Sequence, residues 1–137
     1  MFINSVSLKH IMFSDYWNTC DEKFIYYSKR FDRFIVVPVG FKTDLASIPR
    51  LLQCAISRSD KIILEASIIH DFLYSTPNGR MYQVDWNREQ ADLVLRDAMK
   101  DLGASWLKRN AVYWAIRLFG SGHYWIETEE DARRYLS

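Results

Sequence analysis

Two stretches of different periodicity predict an α+β fold. In the first 40 or so residues, short runs of Phe, Ile, Tyr and Val alternate with polar clusters, which is the pattern of strands and turns. From about residue 60 onward apolar residues recur at helical spacing, in segments bounded by capping residues or glycine. Together these predict a small N-terminal antiparallel sheet of about three strands packed with three main helices and a short C-terminal helix. One domain spanning 1–137 is expected, with 1–40 mainly β and 41–137 mainly α.

The strand runs fall at 10–17, 23–28 and 33–39, separated by polar groups at 18–22 and 29–32. The last two, joined by a short polar connection, read as a hairpin. Pro38 cannot donate to a ladder, so the third run ends there or lies on an edge.

The segment GFKTDLASIPR, residues 40–50, leads from sheet to helices. Gly40 can adopt positive φ, Asp44 places a carboxylate among small and apolar neighbours, and Ser47 before Ile48-Pro49 can cap a short helix. Asp44, Ser47 and Arg50 are the polar residues of this loop from which a site can be built. Satisfying backbone N–H groups is the plainer role for Asp44 and Ser47.

Residues 60–75, DKIILEASIIHDFLYS, predict the central helix. Ile62, Ile63, Leu64, Ala66, Ile68, Ile69, Phe72 and Leu73 leave almost no face polar, so this helix is expected to be surrounded on most sides. Within it stand His70 and Asp71. Burying a neutral polar group without a partner costs roughly 2–7 kcal/mol, and a charge more, so partners must come from elsewhere in the fold. Tyr74 follows His70 by four positions and shares its face, whereas Asp71 points about 100° away, toward the side of Ser67 and Leu64.

Pro77, Asn78 and Gly79 then mark a turn. Asn87 opens the next helix with Gln90 at the capping-box position, and Ala91, Leu95, Ala98 and Leu102 form its apolar stripe. Asp92 lies at the edge of that stripe, placed to reach a polar group on the neighbouring helix. Gly103 stops this helix, and Ser105 starts another through Phe119. There Trp106, Leu107, Val112, Trp114, Ile116 and Phe119 sit on more than one face, which predicts substantial burial, with Lys108, Arg109 and Arg117 on the solvated side. Thr128 and Asp131 form a capping box for the tail helix.

Composition narrows the function classes. A net charge of +1 gives no reason to expect nucleic acid or an anionic membrane as partner. Cys20 and Cys54 lack metal-ligand spacing and are too few for a disulfide scaffold, as in a reduced intracellular protein. No apolar run approaches the ~20 residues of a membrane span, and the N-terminus lacks a signal-peptide pattern. No glycine-rich phosphate loop, HExxH or EF-hand pattern is present, and no GxSxG elbow surrounds Ser47. Aromatic residues make up 15%, including five Trp, which suits a rich core or a binding surface.

The blocks VPVGFKTDLASIPR, HDFLY and NREQADLVLRDAM together resemble the signature of a family of small phage and prophage proteins, domain of unknown function 1353, over roughly residues 24–120. The resemblance implies a phage or prophage origin, and with it the cytoplasm of an infected bacterium or the virion as location; it implies no activity. HDFLY followed by a helix bearing ADLVL is also similar, locally, to the phospholipase A2 pattern. That resemblance implies that His70 activates water, Asp92 orients His70, Tyr74 hydrogen-bonds Asp92, and Asp71 ligates Ca2+. The Cys-rich scaffold of those enzymes is missing, and their calcium loop is missing too unless residues 40–47, with Asp44, replace it.

Two function classes follow. One is a phage accessory protein with a metal-assisted ester or phosphoester hydrolase site at His70, Asp92 and Tyr74, with Asp71 and Asp44 on the metal and Ser47 and Arg50 binding. The other is a non-enzymatic phage protein, an inhibitor of a host protein or a virion component, in which the same cluster only fixes helix packing. An enzyme would place His70 on the floor of a cleft; a binding protein would bury it and expose aromatics among Trp86, Trp106, Trp114, Tyr124 and Trp125.

Overall fold

Phe24, Tyr26 and Ser28 face inward along one extended segment and Ile35 and Val37 along the next, as the two-residue period of a strand requires. The computed structural model describes residues 1–5, 8–10, 17–19, 22–43, 61–74 and 86–119. Among them are strands β1 (Leu8–His10), β2 (Trp17–Thr19), β3 (Phe24–Ser28), β4 (Arg33–Val37) and β5 (Lys42–Thr43), then helices α1 (Lys61–Tyr74), α2 (Arg88–Asp101) and α3 (Trp106–Phe119). The class is α+β, as the periodicity predicts.

The hairpin is β3–β4, in register from Phe24 opposite Val37 to Ser28 opposite Arg33. Its turn includes Asp32 at φ 50°, a left-handed conformation that a short polar side chain tolerates. Residues 1–4 cover the free edge of β3: Ile3 N–H donates to Ile25 O at 3.0 Å and Tyr27 N–H to Met1 O at 2.8 Å.

The strands divide between two sheets where the sequence suggests one. β4 stops at Pro38, Gly40 turns at φ 85°, and the chain leaves the hairpin to place β5 beside β2. The second sheet has the order β1-β2-β5, antiparallel throughout, with Leu8 opposite Thr19 and Trp17 opposite Thr43. The run expected at 10–17 is strand at both ends; residues 11–16 lie outside the described residues, as do the loop beyond Thr43 and the expected tail helix.

Helix α1 is central. Ala66, Ile68, Ile69, Phe72, Leu73 and Tyr74 are all buried, and the helix packs between α2 on one side and β4 and β5 on the other. Phe41 meets Phe72 edge-on at 5.4 Å. Helix α2 begins with the reciprocal cap: Gln90 N–H donates to Asn87 Oδ1 at 2.7 Å and Asn87 N–H to Gln90 Oε1 at 3.1 Å. It ends in a Schellman turn, with Gly103 at φ 93°, Ala104 N–H on Met99 O at 2.9 Å and Gly103 N–H on Lys100 O at 3.0 Å.

The hairpin is tied to α2 by polar side chains. Arg30 makes two hydrogen bonds to the Asp97 carboxylate, at 2.7 and 3.0 Å, and Tyr26 donates to Asp101 at 2.8 Å. Burial and the neighbouring Asp101 carboxylate push the Tyr26 phenol above its usual range, which keeps it a neutral donor. Trp86, a candidate for an exposed patch, is buried instead, under the Phe31 ring at 5.3 Å and the Arg33 guanidinium at 4.3 Å.

Helix α3 starts where Ser105 Oγ accepts Lys108 N–H at 3.2 Å. Substantial burial was expected of it, and it is buried on one face alone, through Val112, Tyr113 and Ile116. Its packing neighbour is α2. Trp106, Leu107, Trp114, Leu118 and Phe119 are all exposed.

Candidate functional site

The site is built where α1, α2 and α3 meet. His70 and Tyr74 are one turn apart on α1, so their rings lie together, with centroids at 4.0 Å. Asp92 enters from α2, directly beside the stripe that packs α2 on α1. His70 and Asp92 are both fully buried.

Three donors converge on the Asp92 carboxylate. His70 Nε2 lies 2.7 Å from Oδ1, and the Tyr74 hydroxyl donates to the same oxygen. Arg117 Nη1, from α3, lies 2.9 Å from Oδ2. Burial alone would raise the Asp92 carboxyl, but the hydrogen bonds from His70, Tyr74 and Arg117 outweigh it and hold the group below the usual carboxylate range. Tyr74 moves the other way. Burial, then the adjacent Asp92 charge, pushes its phenol above the ordinary range, so it serves as a neutral donor.

This arrangement fixes the imidazole. An ionised carboxylate can only accept, so Nε2 carries the hydrogen and, in the neutral ring, Nδ1 keeps the lone pair. Nδ1 is buried and meets no hydrogen-bond partner among the described residues. The ring is therefore oriented, polarised by a carboxylate, and has one basic nitrogen left bare. An imidazole held in this way is arranged so that Nδ1 can accept a proton.

Arg117 was expected on the solvated side and instead completes the cluster. A signal exists: it follows Tyr113 by four positions, on the side of α3 that continues the buried face, and a buried carboxylate already demanded a cation. Arg88 is a second inward arginine, donating to Ile116 O and Arg117 O, both at 2.9 Å, and so capping the last turn of α3 beside the cluster. Glu65 is a further buried acidic group on α1.

Asp71 is half-buried, next to His70 on α1. Asp44, Ser47 and Arg50 lie outside the described residues. Among the described residues no group of three or more His, Cys, Asp or Glu is placed to hold a metal ion. Asp71 by itself offers too few oxygens for Ca2+, which takes six to eight. No described helix is long and apolar enough to cross a membrane.

Fold and site together define a small α+β protein in which three helices enclose a carboxylate-held histidine. The chain belongs to the family described as Protein of unknown function (DUF1353), whose model matches residues 18–116 and so takes in His70, Tyr74 and Asp92. No curated protein and no solved structure matches it.

Proposed function

We propose that this is a phage- or prophage-encoded hydrolase of ester or phosphoester bonds, with His70 as general base. The observation that carries the reading is the buried Nδ1, without a partner among the described residues, of an imidazole whose Nε2–H is held by an ionised Asp92. A buried nitrogen without a partner costs about 1–3 kcal/mol, a cost that helix packing alone gives no reason to retain.

In the proposed reaction His70 Nδ1 takes a proton from water as the water oxygen bonds to the acyl carbon or phosphorus. Asp92 stabilises the imidazolium, and the same proton passes to the leaving oxygen as the ester bond breaks. Tyr74 and Arg117 keep Asp92 ionised and in place. Because His70 is buried, water and substrate reach Nδ1 only when the surrounding helices or loops part. Ca2+, with Asp71 and Asp44 as its ligands and Ser47 and Arg50 as binding residues, belongs to this reading as cofactor.

Hydrolysis of p-nitrophenyl esters and of bis-p-nitrophenyl phosphate, with and without Ca2+, tests the proposal. His70→Ala and Asp92→Asn should each lose at least about 100-fold in rate, the span that general-base catalysis supplies. Wild-type turnover no higher than that of a folded His70→Ala variant would overturn it.

The burial of His70 and Asp92 favours a second reading, a non-enzymatic phage protein that inhibits a host protein or forms part of a virion, in which the cluster only locks three helices together. Under it, His70→Ala lowers the melting temperature and there is no activity to lose.

A further inference from the structure

Helix α1 buries one hydroxyl that the proposed reaction leaves unused. Ser67 stands one turn before His70, about 60° around the helix from it and between it and Asp71. It is 1% exposed, as deeply buried as the imidazole. Among the described residues neither Ser67 Oγ nor His70 Nδ1 meets a hydrogen-bond partner, so two polar atoms on adjacent turns are set among the buried apolar side chains of α1. An alanine would fill position 67 without stranding a hydroxyl there.

The two groups are chemically complementary. A serine hydroxyl both donates and accepts, and Nδ1, with Nε2–H committed to Asp92, is an acceptor. Helical side chains lean toward the turn before them, which carries the imidazole toward the turn of Ser67, with Cβ atoms about 5–6 Å apart at this spacing. The hydroxyl nevertheless makes no direct bond to the ring. The space between donor and acceptor is therefore wider than one hydrogen bond and suits a single water, which is held in a protein interior by polar atoms that otherwise have no partner.

We propose that Ser67 Oγ and His70 Nδ1 bind one water between them and that this water is the nucleophile. It donates one hydrogen to Nδ1 and the other to Ser67 Oγ, which leaves its lone pairs for the acyl carbon or phosphorus. As the water oxygen bonds there, the first proton moves to Nδ1 and passes on to the leaving oxygen, while the second stays on the oxygen that has attacked. Ser67 forms no covalent bond; it fixes where the water stands. The part this water plays in attack rests on the hydrolase reading, whereas the water site itself does not.

Two measurements on the full-length protein separate these parts. The nitrogen-15 resonance of His70 Nδ1 reads whether that nitrogen accepts a hydrogen bond: in the wild type it should lie upfield of a free imidazole lone pair, and Ser67→Ala should return it to the free position. In turnover of the p-nitrophenyl substrates, Ser67→Ala should lose about tenfold in kcat with KM unchanged, the effect of removing one hydrogen bond from a transition state. Ser67→Thr, which keeps the hydroxyl, should recover most of that loss. An Nδ1 resonance that is the same in wild type and Ser67→Ala overturns the water site, and an unchanged kcat in Ser67→Ala overturns its part in attack. A covalent adduct on Ser67 after fluorophosphonate treatment, read by mass spectrometry, also overturns the proposal, since the hydroxyl itself is then the nucleophile. Wild-type turnover no higher than that of folded His70→Ala ends the hydrolase reading and the water's part in attack with it, and the resonance alone then decides the water site.

Discussion

His70 and Asp92 are 22 residues apart in sequence, on separate helices, yet Nε2 and Oδ1 stand at 2.7 Å with both side chains fully buried. Around that contact the carboxylate, itself on α2, collects donors from α1 and α3. Its ionisation is therefore linked to the stability of the helical layer.

The sign of that linkage is set by the depressed Asp92 carboxyl. The folded protein prefers the ionised form more than the unfolded chain does. The contribution is complete above the ordinary aspartate value of about 4, and it declines as pH falls through the lower, folded-state value. Urea midpoints measured from pH 7 down to pH 2 should fall on the acid side, and Asp92→Asn should flatten part of that slope. Identical acid slopes for the two proteins would refute the linkage.

Tyr74→Phe removes one donor to a charged, buried acceptor and little volume. The expected loss is about 1.5–3 kcal/mol in equilibrium unfolding. A change within 0.5 kcal/mol would mean that the hydroxyl bond contributes nothing net.

Arg117 and Asp92 form a half-screened pair, since the guanidinium side chain retains 22% exposure while the carboxylate has none. A double-mutant cycle of Arg117→Met with Asp92→Asn should give a coupling of about 0.5–3 kcal/mol, with the single Arg117→Met destabilising because it leaves the carboxylate one cation short. Additive effects would place Arg117 outside the cluster energetically.

Gly103→Ala tests the turn between α2 and α3. An added Cβ meets no atom within 4 Å, so any loss comes from backbone conformation alone. At φ 93° a cost of about 1–2 kcal/mol is expected. The variant should melt lower with the same unfolding slope in urea.

What the sequence showed and what it hid divide along a physical line. The bounds of α1, the Asn87–Gln90 cap and the Gly103 stop are local, decided by residues within a turn of one another. The contact of His70 and Tyr74 with Asp92 was legible one step further, because helical period puts two of them on one face and the third beside a neighbouring stripe. Arg117 was hidden because it stands with Lys108 and Arg109 in a helix whose other residues are mostly apolar, and period alone does not say which of two apolar faces finds a neighbour. The same ambiguity made α3 read as buried when α2 covers one face. The second sheet escaped because pairing β2 with β5 depends on strands 23 or more residues apart in the chain.

The Schellman turn at Gly103 also bears on the order in which the fold is expected to form. It closes α2 onto α3 across a loop of a few residues, whereas the hairpin reaches α2 through contacts such as Arg30–Asp97 and Tyr26–Asp101, 67 and 75 positions apart. Short loops close first because they lose least chain entropy, so the α2–α3 pair and the β3–β4 hairpin, each joined by four residues, are expected to form before the hairpin docks on α2. In stopped-flow experiments Gly103→Ala should mainly slow refolding and Tyr74→Phe mainly speed unfolding.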